Sequence, residues 1–402
     1  MSEKINSSMQ PLRLLDANRN IQNLKILLRV DFNVPLQNQQ VSDATKIIKV
    51  KPIIHSLLQR GAKVILCSHL GRPQTKGKAG FSLAPIKQEA EKIIGNEIEF
   101  ITDNFKATID QKIKDGKKLF LLENLRFDPG EEKDSEIFSK LLAETSDLYI
   151  NEAFSCSHRA HASIHGITKF IESYAGETIV AELKALNAIM LDSKKPVTCI
   201  IGGSKISTKI DLIINLLPKI DYMIIGGAMA NNFFQHDGYN VGKSKVENNI
   251  EDTIKSIINE SKRNKCKLIL PMDVITATTF EDPGSDKPLN KVNDKDMILD
   301  IGQQTVLQIQ DILAQSKTVL WNGPLGFFEK DQFANGTNAI ARAIGELTKK
   351  QKIISIAGGG DTFAAIKKSN QENKFTYIST AGGAFLEWLE GKILPGLKVL
   401  EK

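Results

Sequence analysis

Ten short runs of this chain, at 25–34, 63–69, 118–125, 148–154, 197–202, 222–227, 267–274, 318–322, 353–358 and 375–380, are mostly near-continuously apolar rather than alternating. A strand reads this way when both of its faces are buried, the condition of a parallel sheet covered by helices. Amphipathic segments such as 83–94 and 211–217 lie between the runs, so the alternation predicts α/β architecture. With 402 residues the chain exceeds one ordinary core, and about 100–200 residues per domain points to two domains.

The charged fraction of 25% and hydrophobic fraction of 41% exclude disorder, collagen-like repeats and coiled coil. Apolar runs such as Met223-Ile224-Ile225 meet a glycine within a few residues, whereas a membrane span needs about 20. Met1-Ser2-Glu3-Lys4 opens no apolar stretch of the kind a secretory signal carries. Cys67, Cys156, Cys199 and Cys266 are far apart and form no C-x-x-C pair, which fits a reducing compartment without a zinc framework. The expected location is cytoplasmic.

The net charge of +6 is carried mostly by lysines scattered among acids, with only nine arginines in the chain. The densest basic cluster, Ser261-Lys262-Arg263-Asn264-Lys265, has no flanking aromatics and reads as a solvated face rather than a nucleic-acid patch. Because arginine is scarce, one kept inside a motif points to a fork-shaped ligand for an anion.

The strand ends differ between the two halves. Before about residue 175 they carry Asp31, Asn33, His69, Arg126 and Glu152; after it they carry Gly202-Gly203, Gly226-Gly227, Gly323, Gly358-Gly359-Gly360 and Gly382-Gly383. The expected fold is therefore two doubly wound parallel-sheet domains joined by a hinge helix, with a cleft between them. The expected bounds are 1–175, a helix at 176–192, and 193–389, with a tail from about 390 to 402 packing back on the first domain. Residues before about Leu12 read as a frayed tail. Ligands of open α/β sheets sit beyond the carboxyl ends of the strands, so a small polyanion is expected on the first domain and a phosphate-rich nucleotide on the second.

In the first half, Arg29-Val30-Asp31-Phe32-Asn33 ends a run with a carboxylate and an amide that can bond hydroxyls. Ser68-His69-Leu70-Gly71-Arg72, Glu123-Asn124-Leu125-Arg126 and His158-Arg159-Ala160-His161 add three arginines and up to three histidines at loop positions. Taken singly, each arginine reads rather as a surface ion pair, but all three follow expected strands, and together they suit carboxylate and phosphate oxygens. His165 lacks such a context and reads as structural or exposed. In the second half, Gly202-Gly203-Ser204-Lys205-Ile206-Ser207-Thr208-Lys209 places two lysines four apart, on one face of a helix expected to start there. Gly358-Gly359-Gly360-Asp361-Thr362 and Ala381-Gly382-Gly383 are strand-to-helix turns whose backbone N–H groups can cradle an anion. Asp361 reads either as a Mg²⁺ ligand or as a helix cap. Gly238-Tyr239-Asn240-Val241-Gly242-Lys243-Ser244 is not a P-loop, because three residues rather than four separate its glycines and it follows a helix-like segment.

These motifs, with Trp321-Asn322-Gly323-Pro324-Leu325-Gly326 and Leu394-Pro395-Gly396, resemble the phosphoglycerate kinase family in the family's order over nearly the whole chain. The resemblance implies a phosphotransferase with a carboxyl acceptor, exchanging phosphate between 1,3-bisphosphoglycerate and Mg·ADP in a hinge-bending monomer, with no nucleic acid or membrane partner. By match, Asp31, Asn33, Lys46, His69, Arg72, Arg126 and Arg159 would bind the glycerate. Lys205, Lys209, Asn322, Glu329, Gly359, Gly360, Asp361 and Thr362 would bind the nucleotide, with Asp361 near the metal. Lys205, Lys46, Gly360 and Gly383 would act on the transferring group.

Some positions depart from the family pattern. Lys46 stands where the family has an arginine, keeping the charge without the bidentate fork, with Lys49 as a possible substitute. The expectation is slower turnover, about tenfold for each ~1.4 kcal/mol by which transition-state stabilisation is weakened; an unchanged kcat in Lys46→Arg would refute it. Ala381, in place of a usual glycine, is expected to narrow the phosphate cradle. Ser155 and Glu152 replace a usual glycine and aspartate one layer away from the ligand. Competing readings are another ATP-dependent small-acid kinase and a non-catalytic two-lobed binding protein, the latter disfavoured because binding alone needs neither Lys205 nor Asp361.

Overall fold

The computed structural model describes residues 11–73 and 80–402, so nearly all of the expected amino-terminal tail lies outside the described residues. The described chain divides into two compact units, residues 11–183 with Ile393–Lys402, and Lys184–Lys392. Among the described residues no helix is long and apolar enough to cross a membrane.

The first unit contains strands β1 (Lys25–Arg29), β2 (Leu36–Gln37), β3 (Gln40–Val41), β4 (Lys63–Cys67), β5 (Glu99–Ile101), β6 (Leu119–Leu122), β7 (Leu148–Asn151) and β8 (Ser173–Ala175). Six of them form one parallel sheet in the order β5-β6-β4-β1-β7-β8. Successive residues of a strand point to opposite faces. Ile26 and Leu28 accordingly join a core with Ile54, Leu57 and Ile86 from helices Thr45–Gln59 and Ala84–Ile94. Leu27 joins the opposite core with Ile109, Phe138 and Leu142 from helices Phe105–Lys114 and Glu136–Ala143. Two covered faces are why β1 shows no polar alternation. The chain's last residues belong here: Gly396 N–H donates to the Ser157 carbonyl (2.9 Å) and Arg13 N–H to the Leu400 carbonyl (2.8 Å).

The second unit contains β9 (Val197–Ile201), β10 (Tyr222–Ile225), β11 (Lys267–Ile269), β12 (Asp273–Ala277), β13 (Ser285–Pro288), β14 (Met297–Ile301), β15 (Thr318–Asn322), β16 (Ile354–Gly358) and β17 (Tyr377–Ser379). Its main sheet, β11-β10-β9-β15-β16-β17, is also parallel throughout. The strand order reverses between β1 and β7 in the first unit and between β9 and β15 in the second, and such switch points open the crevices where ligands bind.

Three differences from the sequence expectation have local causes. The run 267–274 is two strands: Pro271, with no N–H to give a ladder, falls between β11 and β12, and β12 pairs antiparallel with β13 and β14 in a separate sheet. The edge strands β5 (Glu99-Phe100-Ile101) and β8 (Ser173-Tyr174-Ala175) are short and lack a flanking apolar run, so neither stands out in the sequence. The run 25–34 outlasts β1 because Val30, Phe32 and Val34 stay buried in the loop that follows.

The helix Glu177–Met190 begins against Glu152 at the end of β7. Thr178 N–H donates to Glu152 Oε1 (2.9 Å) and the Thr178 hydroxyl to the Glu152 carbonyl (2.6 Å), while Oε2 is buried with no hydrogen-bond partner among the described residues. Burial pushes this carboxyl up to about 7, the Thr178 bonds only partly restraining it. A folded value above the unfolded one means stability is full below about pH 4.5 and falls as pH rises through the folded value. Between about pH 5 and 7.5 we expect urea unfolding to show wild type losing about 2 kcal/mol relative to Glu152→Gln; parallel pH profiles would refute this.

Candidate active site

In the first unit the polar residues lie in loops just past the carboxyl ends of parallel strands. Asp31 and Asn33 follow β1, His69 and Gly71 follow β4, the turn Leu125–Phe127 follows β6, and the turn Phe154–Cys156 follows β7. Asn124 ties two of these loops together, donating to the carbonyls of Leu70 and Phe81 (both 2.8 Å) and accepting from Arg126 N–H (3.1 Å).

Lys46, not Lys49, reaches Asp31: its ammonium donates to Asp31 Oδ2 (2.7 Å) and to the Asn33 carbonyl (3.1 Å). Burial alone would raise the Asp31 carboxyl, but Lys46 above all, with the Ser155 hydroxyl, holds it below the usual carboxylate range, so it is ionised near neutrality. Asn33 Oδ1 accepts from Gly71 N–H (3.0 Å), and Arg126 donates to the Gly71 carbonyl (2.6 Å). Arg126 also faces Glu132 (3.2 Å). Arg159 is half-buried and donates to His158 Nε2 (3.1 Å), and Arg72 is exposed beside Gly71. His165 pairs with Asp134 (2.7 Å).

Arg29 opens one of the strand-end motifs, yet sequence reasoning assigns it no role. It is buried, donates from Nε to Ser163 Oγ (2.9 Å), and sets a terminal nitrogen 3.1 Å from His69 Nδ1. A guanidinium can only donate, so His69 Nδ1 accepts and its proton sits on Nε2. Burial, reinforced by Arg29, holds the His69 pKa well below its ordinary value, making it a neutral donor near pH 7. Asp31, His69 and Cys156 bring possible metal ligands within 4.8 Å of one another, but Lys46 and Arg29 already place cations on the Asp31 and His69 atoms. The cluster of Arg29, Lys46, Arg126 and Arg159 suits an anion instead.

In the second unit the glycine turns after β9 and β15 meet at the switch point. Gly323 has φ +96°, and a Cβ there would lie 2.2 Å from the Gly202 carbonyl oxygen. Lys209 donates to Asn322 Oδ1, Asn322 Nδ2 to the Gly358 carbonyl (2.6 Å), and Gly323 N–H to Thr362 Oγ1 (2.6 Å). These bonds join the turns after β9, β15 and β16. Burial lowers Lys209 to about 8, with Cys199 and Asp361 pulling it back.

Gly359 adopts φ +104° ahead of the helix Gly360–Lys368, and Gly382 adopts φ +52° ahead of Gly383–Leu389. Gly360 is open, with nothing within 4 Å of a Cβ built there. Ala381 is buried. Lys205 is exposed and lies in the turn rather than on a helix, which begins as a 3-10 turn only at Ser207 after the buried Ile206. The two lysines therefore do not share a helical face.

A cavity of about 460 Å³ opens beside these turns. Phe280, Met297, Leu299, Pro324 and Phe327 give it apolar walls, and Gly203, Glu329 and Asp361 also line it. Apolar walls with a few polar groups suit a heterocycle with a charged end. Lys243 and Ser244 of the rejected P-loop-like segment line it too, though Ser244 Oγ accepts from Ile298 N–H (2.8 Å). Sequence reasoning missed the aromatic walls, for which Gly326-Phe327-Phe328 after the Asn322-Gly323-Pro324 turn was the available signal.

The family model described as phosphoglycerate kinase matches residues 16–392. The chain is 46% identical to a phosphoglycerate kinase of Wolbachia pipientis subsp. Culex pipiens (strain wPip), covering 94% of this chain and 96% of that one. It is 44% identical to one from Bartonella quintana (strain Toulouse), at the same coverages. Among solved structures, the phosphoglycerate kinase of Coxiella burnetii superposes with a TM-score of 0.87 at 36% identity, covering 97% of this chain and 99% of the other. That from Pyrococcus horikoshii OT3 gives 0.78 at 27% identity, with 97% and 98% covered. With sequence matched almost end to end and the same two-sheet fold, the chain belongs to the phosphoglycerate kinase family.

Proposed function

We propose that this kinase transfers the acyl phosphate of 1,3-bisphosphoglycerate reversibly to Mg·ADP, giving 3-phosphoglycerate and Mg·ATP, as a monomer in the cytoplasm. Asp31 and Asn33 bind the glycerate, while Lys46, His69, Arg72, Arg126 and Arg159 hold its carboxylate and phosphate. The observation that carries the nucleotide half is the cavity that joins apolar walls to Glu329 and Asp361 beside the Gly203 turn. There the base lies between the walls, Glu329 meets the ribose, and Lys209, Asn322, Gly359, Gly360 and Thr362 hold the phosphates. Asp361 is exposed, in the first turn of its helix, and makes no hydrogen bond or ion pair with the described residues. Its carboxylate, which feels the Lys209 charge but carries no hydrogen bond among the described residues, fits the Mg²⁺ of the nucleotide, which when bound offsets phosphate charge.

The acceptor in the ATP-consuming direction is a carboxylate already ionised at neutral pH, so no general base is required. His69 with its lowered pKa matches that economy, serving as a neutral hydrogen-bond donor rather than a proton carrier. Catalysis then rests on positioning and on neutralising the charge that spreads over the moving phosphoryl group. Lys205, Lys46, Gly360 and Gly383 contribute there through an ammonium or a backbone N–H. Hinge bending would bring the two ligand sets together and limit hydrolysis of the acyl phosphate. The test is ATP- and Mg²⁺-dependent turnover of 3-phosphoglycerate, coupled to reduction of the product. Absence of turnover with both ligands bound would leave only a binding protein.

A further inference from the structure

Ser155 lies in the turn Phe154–Cys156 that follows β7, and Asp31 in the loop that follows β1. β1 and β7 are the neighbouring strands at which the order of the first sheet reverses, so the two residues face each other across a switch point. The Ser155 hydroxyl donates to Asp31 Oδ2 at 2.5 Å, the same oxygen that receives the Lys46 ammonium at 2.7 Å. The other oxygen, Oδ1, accepts Asn33 N–H at 3.0 Å. Two donors from two different elements thus occupy Oδ2, while among the described residues Oδ1 accepts one bond and keeps a lone pair.

Lys46 by itself does not fix the carboxylate. Its ammonium is a compact charge on a flexible stem and divides its donors between Asp31 and the Asn33 carbonyl. Asn33 N–H holds Oδ1 from the same loop as Asp31 itself, whereas the Ser155 hydroxyl holds Oδ2 from a separate loop and so ties the carboxylate to the turn after β7. The other polar contact of the Ser155 hydroxyl among the described residues is with Cys156 Sγ at 3.7 Å, a weak partner.

We infer that Ser155 is a positioning residue, locking the Asp31 carboxylate so that the remaining lone pair of Oδ1 is available to the hydroxyl group of the three-carbon acid. The inference rests on the proposed binding of that acid by Asp31. Ser155 itself touches no substrate and acts only through Asp31.

The test is a cycle of Ser155→Ala, Asp31→Ala and the double variant, reading kcat/KM for 3-phosphoglycerate and the KM for ATP in each. The expected result is a loss of about tenfold in kcat/KM for the acid in Ser155→Ala, with the KM for ATP changed by less than about twofold. The ATP constant also reports that the protein remains folded. In the double variant the loss should equal that of Asp31→Ala alone, because a residue acting through Asp31 has nothing left to position. If Asp31→Ala impairs the acid while Ser155→Ala does not, or if the Ser155→Ala loss persists in full without Asp31, the positioning role is overturned and the assignment of Asp31 stands. If Asp31→Ala leaves kcat/KM unchanged, the assignment of Asp31 falls, and the inference with it.

Discussion

Lys205→Ala is expected to lower kcat for ATP-dependent turnover of 3-phosphoglycerate about 10³-fold, while the nucleotide Kd shifts by less than about tenfold. The side chain is exposed and makes no ion pair or hydrogen bond with the described residues, so its charge has no partner among them. It stands just past the glycine turn at the end of β9, beside the cavity lined by Gly203 and Ser204. A cation so placed gains most where negative charge develops on the moving phosphoryl group, and such a contact raises kcat rather than ground-state affinity. Lys209 differs, because it is partly buried and donates to Asn322. An exposed lysine carries little of the folding energy, so the melting temperature of Lys205→Ala should match wild type. A kcat within tenfold of wild type would remove Lys205 from the phosphoryl-transfer step.

Gly323→Ala is expected to destabilise the unit Lys184–Lys392 by about 3 kcal/mol or more and to abolish tight nucleotide binding. Two costs add. At φ +96° a side chain is strained, by about 1–2 kcal/mol for a left-handed L-residue. The added Cβ would also lie 2.2 Å from the carbonyl oxygen and 2.5 Å from the carbonyl carbon of Gly202. Both are backbone atoms, and Gly202 is held in turn by its N–H bond to the Asn322 carbonyl (2.9 Å). Relief therefore requires β9 and β15 to separate at the switch point that carries the proposed phosphate cradle. Trp321 gives a local readout, since its buried indole donates to the Gly323 carbonyl (2.7 Å). Urea unfolding followed by tryptophan fluorescence should show an earlier transition than wild type. Gly360→Ala is the control: a Cβ at 360 meets nothing within 4 Å, so its transition should barely move. Coincident transitions for Gly323→Ala and wild type would refute the argument.

The degree to which each feature was legible in the sequence follows from how local its cause is. The parallel sheets were legible because burial of both strand faces leaves a near-continuous apolar run, as at Leu119–Leu122. The turns proposed to seat phosphates were legible as glycine clusters, since positive φ at Gly359 and Gly382 is a demand that one residue type meets at least cost. The scarcity of arginine made Arg126 and Arg159 conspicuous. The antiparallel sheet of β12, β13 and β14 was not legible, because Ser285–Pro288 is polar and mostly exposed and shows no apolar run, although its partner β12 is the preceding strand.

Sequence by itself determined the fold class, the order of the strand-end motifs and the family, because each is written in spacing along the chain. Tertiary structure alone decided which atoms meet. It put Lys46 rather than Lys49 on Asp31, set Ser155 on the same oxygen, and buried His69 against Arg29 so that the imidazole stays neutral. It also took Lys205 off the helix and assembled Phe280 and Phe327 from distant segments into one apolar wall. The physical reason is range. Backbone preference and burial act over a few neighbouring residues, whereas a hydrogen bond between Asp31 and Ser155 spans 124 positions and exists only once β1 and β7 lie side by side.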